Sequence, residues 1–529
     1  MAPAQPLPDG IPVLIAGGGP VGLTLAALLA RHGVRSLVVE ADAGYCAGSR
    51  AICVSRRSQE ILATAGAGAA LAAKALPWTG GRSYWRNREV LHFRMASEPT
   101  ERFAPMVNIQ QYHVEAFVHD ALQAAPELVQ VAWSARVTGV RAAAEGVDVE
   151  VEDASGQRRI RADWLVACDG GRSTVREQLG LQYEGTQYEG RYVIVDIVQK
   201  TKRPVERLAW FDPPSNPGST LLMHRQPDDV WRIDYQLRDD EDGDQALKPE
   251  NILPRVRSHL AMIGEDASWE LLWASMYNAK CLTLPEYRHG RVLFAGDAAH
   301  LVPIFGVRGL NSGLDDAANL AWKLALVLDE GADAVLLDSY SHERVQAARE
   351  NIAYGAKSTE FMAPPDFAFR LMREATLRVA IDDPAVRSLI NPRQSAPVAY
   401  SDSPLNGPEQ GEWTDAQAAP GQPAPEAFLQ GPQGPFHLTQ CFGTDFTCVV
   451  FNDGALPHAV ADLANHGLAV LDIAPDADVQ GQARRRYGLP EDGGTGLVLV
   501  RPDGYVFGRW RGLDPAPVLA CLREKGLQP

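Results

Sequence analysis

Residues 11 to 42, IPVLIAGGGPVGLTLAALLARHGVRSLVVEAD, run an apolar strand into a glycine turn and the turn into a helix. Gly17, Gly19 and Gly22 make G-x-G-x-x-G directly after the strand Val13 to Ile15. The first glycine permits the turn, the second lets backbone approach a pyrophosphate, and the third lets helix pack on strand. Phosphate then meets the helix N-terminus, where unpaired N–H groups and the dipole favour negative charge. Glu40 closes the second strand, SLVVE, where a carboxylate grips a ribose 2′-hydroxyl and would repel a 2′-phosphate. NAD or the adenosine half of FAD fits this site, and NADP does not. The run Val13 to Ala30 has the length of a membrane span, but Gly17, Gly18, Gly19, Pro20 and Gly22 break it near its start. It reads as strand, phosphate turn and helix.

A second glycine-rich stretch, GRVLFAGDAAHLVPIFGVRGLNSGLDDAANLAWKLA at Gly290 to Ala325, ends a strand on Gly296-Asp297 and inserts Gly306, Gly309 and Gly313 before a long helix. In a chain already holding an adenine dinucleotide, such a Gly-Asp can place a carboxylate on a ribityl chain, and the following helix N-terminus can face a flavin pyrimidine. The three glycines are expected to permit close passage beneath a flat ring.

Together with WLVACDGGRSTVREQLG at Trp164 to Gly180, these motifs and their order resemble the single-component FAD-dependent aromatic hydroxylases, the class A flavoprotein monooxygenases. SRAICVSRRSQEIL, with Arg50, Arg57 and Glu60 on positions of the family pattern, and QQYHVEAF, with Gln111 and Glu115, add to the likeness. The resemblance implies a Rossmann-type α/β FAD-binding domain, an antiparallel β substrate domain, and hydroxylation of a phenolic or other electron-rich ring. The implied reagents are NADH or NADPH and O2, which adds at flavin C4a. It further implies that Gly17, Gly19, Pro20, Gly22 and Glu40 hold the adenosine and pyrophosphate, that Asp297 holds the ribityl chain, and that Arg50 and Gln111 lie along the FAD. Asp169 and Gly170, with Arg172, would serve both FAD and the nicotinamide. Pro303 and the segment Gly306 to Asn311, including Gly309, Leu310 and Asn311, would line the ring. Arg308 departs from the commoner loop, and a cation there would favour the reduced flavin anion. Ile52 stands where phenol hydroxylase carries a substrate-handling aspartate, so that base is missing.

Between Glu189 and Trp273 the segments RYVIVDIVQK, ERLAWF, STLLMHRQ and VWRIDYQLRD alternate at period two, as half-buried antiparallel strands do. In the last, Trp231, Ile233, Tyr235 and Leu237 share one face, opposite Arg232, Asp234, Gln236 and Arg238. Which face meets the flavin is open at this level. Tyr235, His224 and Trp210 are candidates for substrate contact, and Arg232 could pair with a substrate carboxylate.

The expected division is an FAD-binding domain at 1–188, a β-rich substrate domain at 189–279, and a second FAD-binding part with helices at 280–400. A connector or wrapped loop follows at 401–435, where seven prolines and five glycines argue against a packed element. The last unit, 436–529, orders strand, helix, strand, helix, hairpin and helix like a thioredoxin fold, and resembles the thioredoxin-like domain of the phenol hydroxylase and 3-(3-hydroxyphenyl)propionate hydroxylase branch. Without CxxC it cannot exchange dithiols, so a structural or oligomer-contact role is expected. A net charge of −16 with no basic block excludes nucleic acid and anionic membranes as expected partners. Seven cysteines without a CxxC pair and an N-terminus unlike a signal peptide point to a reducing cytoplasm and no metal. The expected partners are a small aromatic substrate, O2 and NAD(P)H, with homodimer formation open. Two rival readings remain: a flavin-dependent reductase without oxygen insertion, and a non-catalytic FAD-containing binding protein.

Overall fold

In the computed structural model, residues 6–527 are described apart from 239, 330–331, 391–393, 415–416 and 491–493. The first sheet is built on parallel pairing. Strand Gly10–Ala16 lies between Ser36–Val39 and Gly156–Ala167, Val292–Phe294 runs parallel to the last of these, and Val129–Ala132 continues the other side. Val13, Leu14, Ile15, Leu37, Val38, Leu165 and Val166 are wholly buried, as a parallel sheet covered on both faces requires. Helix Pro20–Arg31 covers one face and packs on the 21-residue helix Gly309–Asp329. All parallel strands share one C-terminal edge, so every strand-ending motif arrives at the same place.

The second sheet is largely antiparallel, ordered His300–Leu301, Glu270–Thr283, Glu184–Val198, Val230–Gln236, Thr220–Arg225, Arg207–Phe211, Gly80–Trp85 and Arg88–Arg94. The last two strands were expected in the first FAD-binding segment. They join this sheet through a parallel pairing of Gly81 with Arg207, a contact across more than a hundred residues that no local period announces.

The C-terminal sheet runs Glu409–Gln410, Val506–Arg511, Gly496–Val500, Thr447–Phe451, Ala469–Ile473. Thr447–Phe451 pairs parallel to Ala469–Ile473 and antiparallel to Gly496–Val500. The proline-rich segment 401–435 lies against this unit. Glu409–Gln410 adds a sheet edge, Phe428–Gly431 forms a hairpin with Gly434–His437, and Leu405, Ala418, Ala427 and Leu429 are buried. Six of its seven prolines fall outside these short strands, and Pro435 sits in the two-stranded hairpin, opposite Gln430.

A buried ionic knot joins this unit to the long helices. Glu343 on helix Leu336–Met362 accepts from Lys323 Nζ at 2.7 Å and from both terminal nitrogens of Arg501 at 2.7 and 2.9 Å, and Arg501 also pairs with Asp503. Beside it, Arg57 donates to the Asp503 carbonyl and faces Glu60. Burial raises the Glu60 carboxyl from 4.5 to about 7, only partly opposed by Arg57. A raised folded-state value means that the stabilisation is complete below about pH 4.5 and is lost as pH rises through about 7. Glu60→Gln should therefore flatten the melting temperature across that window and melt above the parent at pH 8, as scanning calorimetry at a series of pH values would show.

Candidate active site

The C-terminal edge of the parallel sheet gathers Gly17 after Ala16, Glu40 after Val39, Cys168-Asp169 after Ala167 and Gly296-Asp297 just beyond Phe294. Ligands of open α/β sheets bind at such an edge. Gly17 has φ +106°, and a Cβ there would stand 2.3 Å from the Cys168 carbonyl oxygen, so neighbouring strand ends require the bare backbone. A Cβ on Gly19 would meet nothing within 4 Å. That open position begins helix Pro20–Arg31, with Pro20 in its first turn, and leaves its N-terminus clear for an anion. Glu40 accepts the Gly18 N–H at 2.6 Å and the Asp42 N–H at 2.8 Å, which aims its carboxylate along this turn.

The Asp169 and Asp297 turns are stapled together by residues outside the sequence-derived set. Arg176 donates to the Gly171 carbonyl at 2.8 Å, the Ala298 carbonyl at 3.3 Å and Tyr183 Oη at 2.7 Å, and Tyr183 donates to the Asp297 carbonyl. Arg176 lies in the same DGGRSTVR stretch as Arg172. Arg172 is exposed and Arg176 buried, a distinction that residue type alone does not carry. Asp169 accepts the Val175 N–H through one oxygen, while its other oxygen is buried with no partner among the described residues. Burial pushes this carboxyl upward. Gly170 has φ +79° and open space over it. Asp297 is exposed, with exposed Arg50 in electrostatic range. Gln111 fixes the turn beside Arg50 by accepting the Ala51 N–H at 3.2 Å and donating to Glu115 at 2.9 Å.

Pro303, buried, opens the loop to helix Gly309–Asp329, whose first turn holds Gly309, Leu310 and Asn311. Asn311 accepts the Ser55 N–H at 2.9 Å and donates to the Cys53 and Val307 carbonyls, tying this turn to strand Cys53–Ser55. Gly313, expected to pass beneath a ring, instead lets two helices touch: a Cβ would lie 2.6 Å from Val21 Cγ2 and 3.3 Å from Gly296 Cα. Arg308 is buried. It donates to Asn351 Oδ1 at 2.6 Å and the Gln394 carbonyl at 3.2 Å and lies over the Tyr354 ring, so its guanidinium is first an anchor of the loop to helix Leu336–Met362. Behind the loop, Asp316 accepts the Gly296 N–H at 2.8 Å, His300 Nε2 at 2.7 Å and Arg344 Nε at 2.6 Å. Burial alone would raise Asp316, but His300 and Arg344 hold it at about 2.

The second sheet sorts the substrate candidates by face. Tyr235 and Trp210 pack with Trp231, Ile233 and Leu237 under helix Pro249–Met262, with Trp210 stacked on Tyr84 and edge-on to His259, and Arg255 over Tyr235. They form the core of the β unit, so the structure takes both away from the site. The opposite face carries His224, Arg232 and Asp234 and looks onto Ile52, Cys53, Met106 and Phe305. Arg232 is already engaged, donating to Asp234 at 2.7 Å and to the Arg50 carbonyl. Tyr192, on this face and edge-on to Phe305 at 5.3 Å, was not foreseen, because a tyrosine in an alternating strand looks like any core aromatic.

Room over Gly19 and Gly170 and, among the described residues, a buried unpaired oxygen on half-buried Asp169 and an unpaired carboxylate at Asp297 fit an adenine dinucleotide laid across this edge. Residues 10–354 match the model of an FAD-binding domain family. A 3-(3-hydroxyphenyl)propionate/3-hydroxycinnamic acid hydroxylase from Mycobacterium sp. (strain KMS) is 30% identical over 464 residues, 85% of this chain and 77% of that protein. Its counterpart from Klebsiella pneumoniae is 32% identical over 357 residues, 67% of this chain and 62% of that one. Among solved structures, the flavin-dependent monooxygenase PieE, in complex with FAD and substrate, shares the fold at a TM-score of 0.79 and 24% identity, over 99% of this chain and 100% of that one. Aklavinone-11 hydroxylase, with FAD and aklavinone, aligns at 0.73 and 25% over the same shares. Relatives of one chemistry along most of the chain decide against a reductase or a mere binder: the chain belongs to the FAD-binding-domain family and is an FAD-dependent aromatic hydroxylase, a class A flavoprotein monooxygenase.

Proposed function

We propose that the substrate is a small hydroxylated aromatic ring bound between the inner face of the second sheet and the loop from Pro303 to Gly309, with NAD(P)H and O2 as the other reactants. The observation that carries this reading is the apolar cluster of Ile52, Cys53, Phe93, Met106, Leu222 and Phe305, which is buried between that face and that loop. FAD, when bound, supplies the redox chemistry that activates O2 for transfer to the ring. The chain's own residues do the rest. Glu40, the Gly17–Gly22 turn, Asp169 and Asp297 hold and orient the dinucleotide, and Asn311 and Arg308 fix the loop against which the ring rests. The cluster excludes water, which would divert activated oxygen to hydrogen peroxide. Burial and the neighbouring Arg207 and Arg232 hold His224 neutral, so it serves as a hydrogen-bonding group rather than a charge.

The C-terminal strand order and directions support a thioredoxin-like reading of that unit. Its Cys441 and Cys448 are both unpaired thiols, one exposed and one buried, which supports a structural rather than a redox role. The functional test uses FAD-replete protein in air with a panel of phenols. Phenol-stimulated NAD(P)H oxidation with a hydroxylated product is expected. Oxidation that no phenol stimulates and that yields only peroxide would defeat the proposal.

A further inference from the structure

In the C-terminal unit, strands Gly496–Val500 and Val506–Arg511 are joined by the turn Arg501-Pro502-Asp503-Gly504-Tyr505. The Arg501 N–H on the Tyr505 carbonyl and the Gly504 N–H on the Arg501 carbonyl close it, both at 2.8 Å. A hairpin turn ordinarily faces water. This one is buried, with Arg501, Asp503 and Tyr505 only 1%, 5% and 1% exposed. Docking of the unit does not require that burial, because the edge-on contacts of Trp322 with Phe446 and of Phe446 with Phe507 already seat it on helix Gly309–Asp329. The turn reaches further, into the polar groups behind the cofactor edge.

From Tyr505 the contacts run in one line to the Asp297 turn. The Tyr505 ring stacks on Tyr400 with centroids 4.3 Å apart and planes 26° from parallel, and its hydroxyl donates to the Val398 carbonyl at 3.1 Å. Tyr400 Oη accepts Arg344 Nη1 at 2.7 Å. Arg344 donates Nε to Asp316 at 2.6 Å and Nη2 to the Ser312 carbonyl, in the first turn of helix Gly309–Asp329, at 3.0 Å. Asp316 then accepts the N–H of Gly296, the residue before Asp297, at 2.8 Å. A second line is shorter. Arg57 lies over the Tyr505 ring at 5.5 Å, donates to the Asp503 carbonyl, and sits in the first turn of helix Arg56–Thr64, directly after the strand Cys53–Ser55 that Asn311 ties to the loop. Tyr505, Tyr400, Arg344 and Asp316 are all buried, so none can trade its partner for water, and a satisfied network of that kind is rigid.

We infer that Tyr505 is a positioning residue for the FAD site, acting through Tyr400, Arg344 and Asp316 on the turn that presents Asp297. The C-terminal unit thereby shapes cofactor binding through packing alone. The inference rests on the reading of the sheet edge as the FAD site and adds to it a determinant from the far end of the chain. Without the Tyr505 ring, Tyr400 is free to shift, and Tyr400 is the acceptor that orients the guanidinium holding both Asp316 and Ser312.

The test uses the full-length apoprotein, titrated with FAD well below its melting transition, and the visible circular dichroism of the bound flavin. Tyr505→Leu should weaken FAD binding by about 3- to 30-fold and change the dichroism. Tyr505→Phe, which keeps the ring and loses only the hydroxyl, should return both to parent values. Tyr400→Phe keeps the stack and removes only the acceptor for Arg344, so it should move both readouts as Tyr505→Leu does, and it carries the test if the leucine variant does not fold. Phe507→Leu loosens the same unit away from this line, and should lower the melting temperature while leaving affinity and dichroism unchanged. Because the effect is carried by Asp316, adding Tyr505→Leu to Asp316→Asn should cost much less FAD affinity than adding it to the parent. Parent-like affinity and dichroism in Tyr505→Leu or Tyr400→Phe, equal changes in Phe507→Leu, or fully additive losses in the double variant overturn the inference. If Tyr505→Leu has its effect while Asp297→Ala keeps full flavin content, the positioning role stands and the ribityl role of Asp297 fails.

Discussion

Glu343→Ala is expected to destabilise the protein by about 3–5 kcal/mol, the cost of removing one partner from a buried ion cluster. Glu343, Lys323 and Arg501 are all wholly buried, and the carboxylate also accepts from Asn319 Nδ2 at 2.7 Å and from Ser403. Without it, two cations remain in the interior with Asp503 alone to balance them. The knot joins helices Gly309–Asp329 and Leu336–Met362 to the C-terminal unit, so the transition should lose cooperativity as that unit releases first. Burial would raise the Glu343 carboxyl, but Arg501 and Lys323 overcome this and hold it well below its usual value. A depressed folded-state value means the stabilisation is present above about pH 4.5 and is lost as pH falls below it. Urea titrations at pH 7 and pH 4 would check both statements: the parent should weaken toward pH 4, and Glu343→Ala should weaken less. Equal losses in parent and variant would show that the knot contributes nothing.

Asp316→Ala should be nearly as damaging to the fold and more damaging to the cofactor site. Its carboxylate is the shared acceptor of the Gly296 amide, His300 and Arg344, and Arg344 in turn reaches Ser312 and Tyr400. Alanine strands Arg344 in the interior and frees the turn that presents Asp297, so a loss of about 3–5 kcal/mol should accompany a fall of tenfold or more in FAD retention. Asp297→Ala provides the contrast. Among the described residues its carboxylate makes no hydrogen bond or ion pair, so this variant should lose FAD on dialysis while the apoprotein melts within about 1 kcal/mol of the parent, as surface changes do. Full flavin content in Asp297→Ala would remove that residue from the ribityl role, and an apoprotein as stable in Asp316→Ala as in the parent would remove the scaffold role of Asp316.

Much of the dinucleotide site was legible because its constraints are local. A strand, a turn that admits no side chain at Gly17, and an acid at the next strand end lie within thirty residues, and chain geometry alone brings them together. The same holds for Asp169 and Asp297, each placed by the end of its own strand, and for the alternation that marked the second sheet. The face that alternation presents to the substrate was not legible. Period two divides Tyr235 from Arg232 but cannot say which side helix Pro249–Met262 will cover, and that packing sent Tyr235 and Trp210 into the core under the helix and left His224 on the opposite face. Nor can residue type separate a paired cation from an unpaired one. Arg172 and Arg176, or Arg232 and Arg207, differ only in which carbonyls and carboxylates the folded chain sets within reach, across separations of up to 182 residues. By itself the sequence determined which glycine turns and strand-ending acids would meet at one sheet edge, because backbone sterics act between neighbours. Only the tertiary structure decided which charges are paired and which are not, because burial and Coulomb partners are set by distances in space.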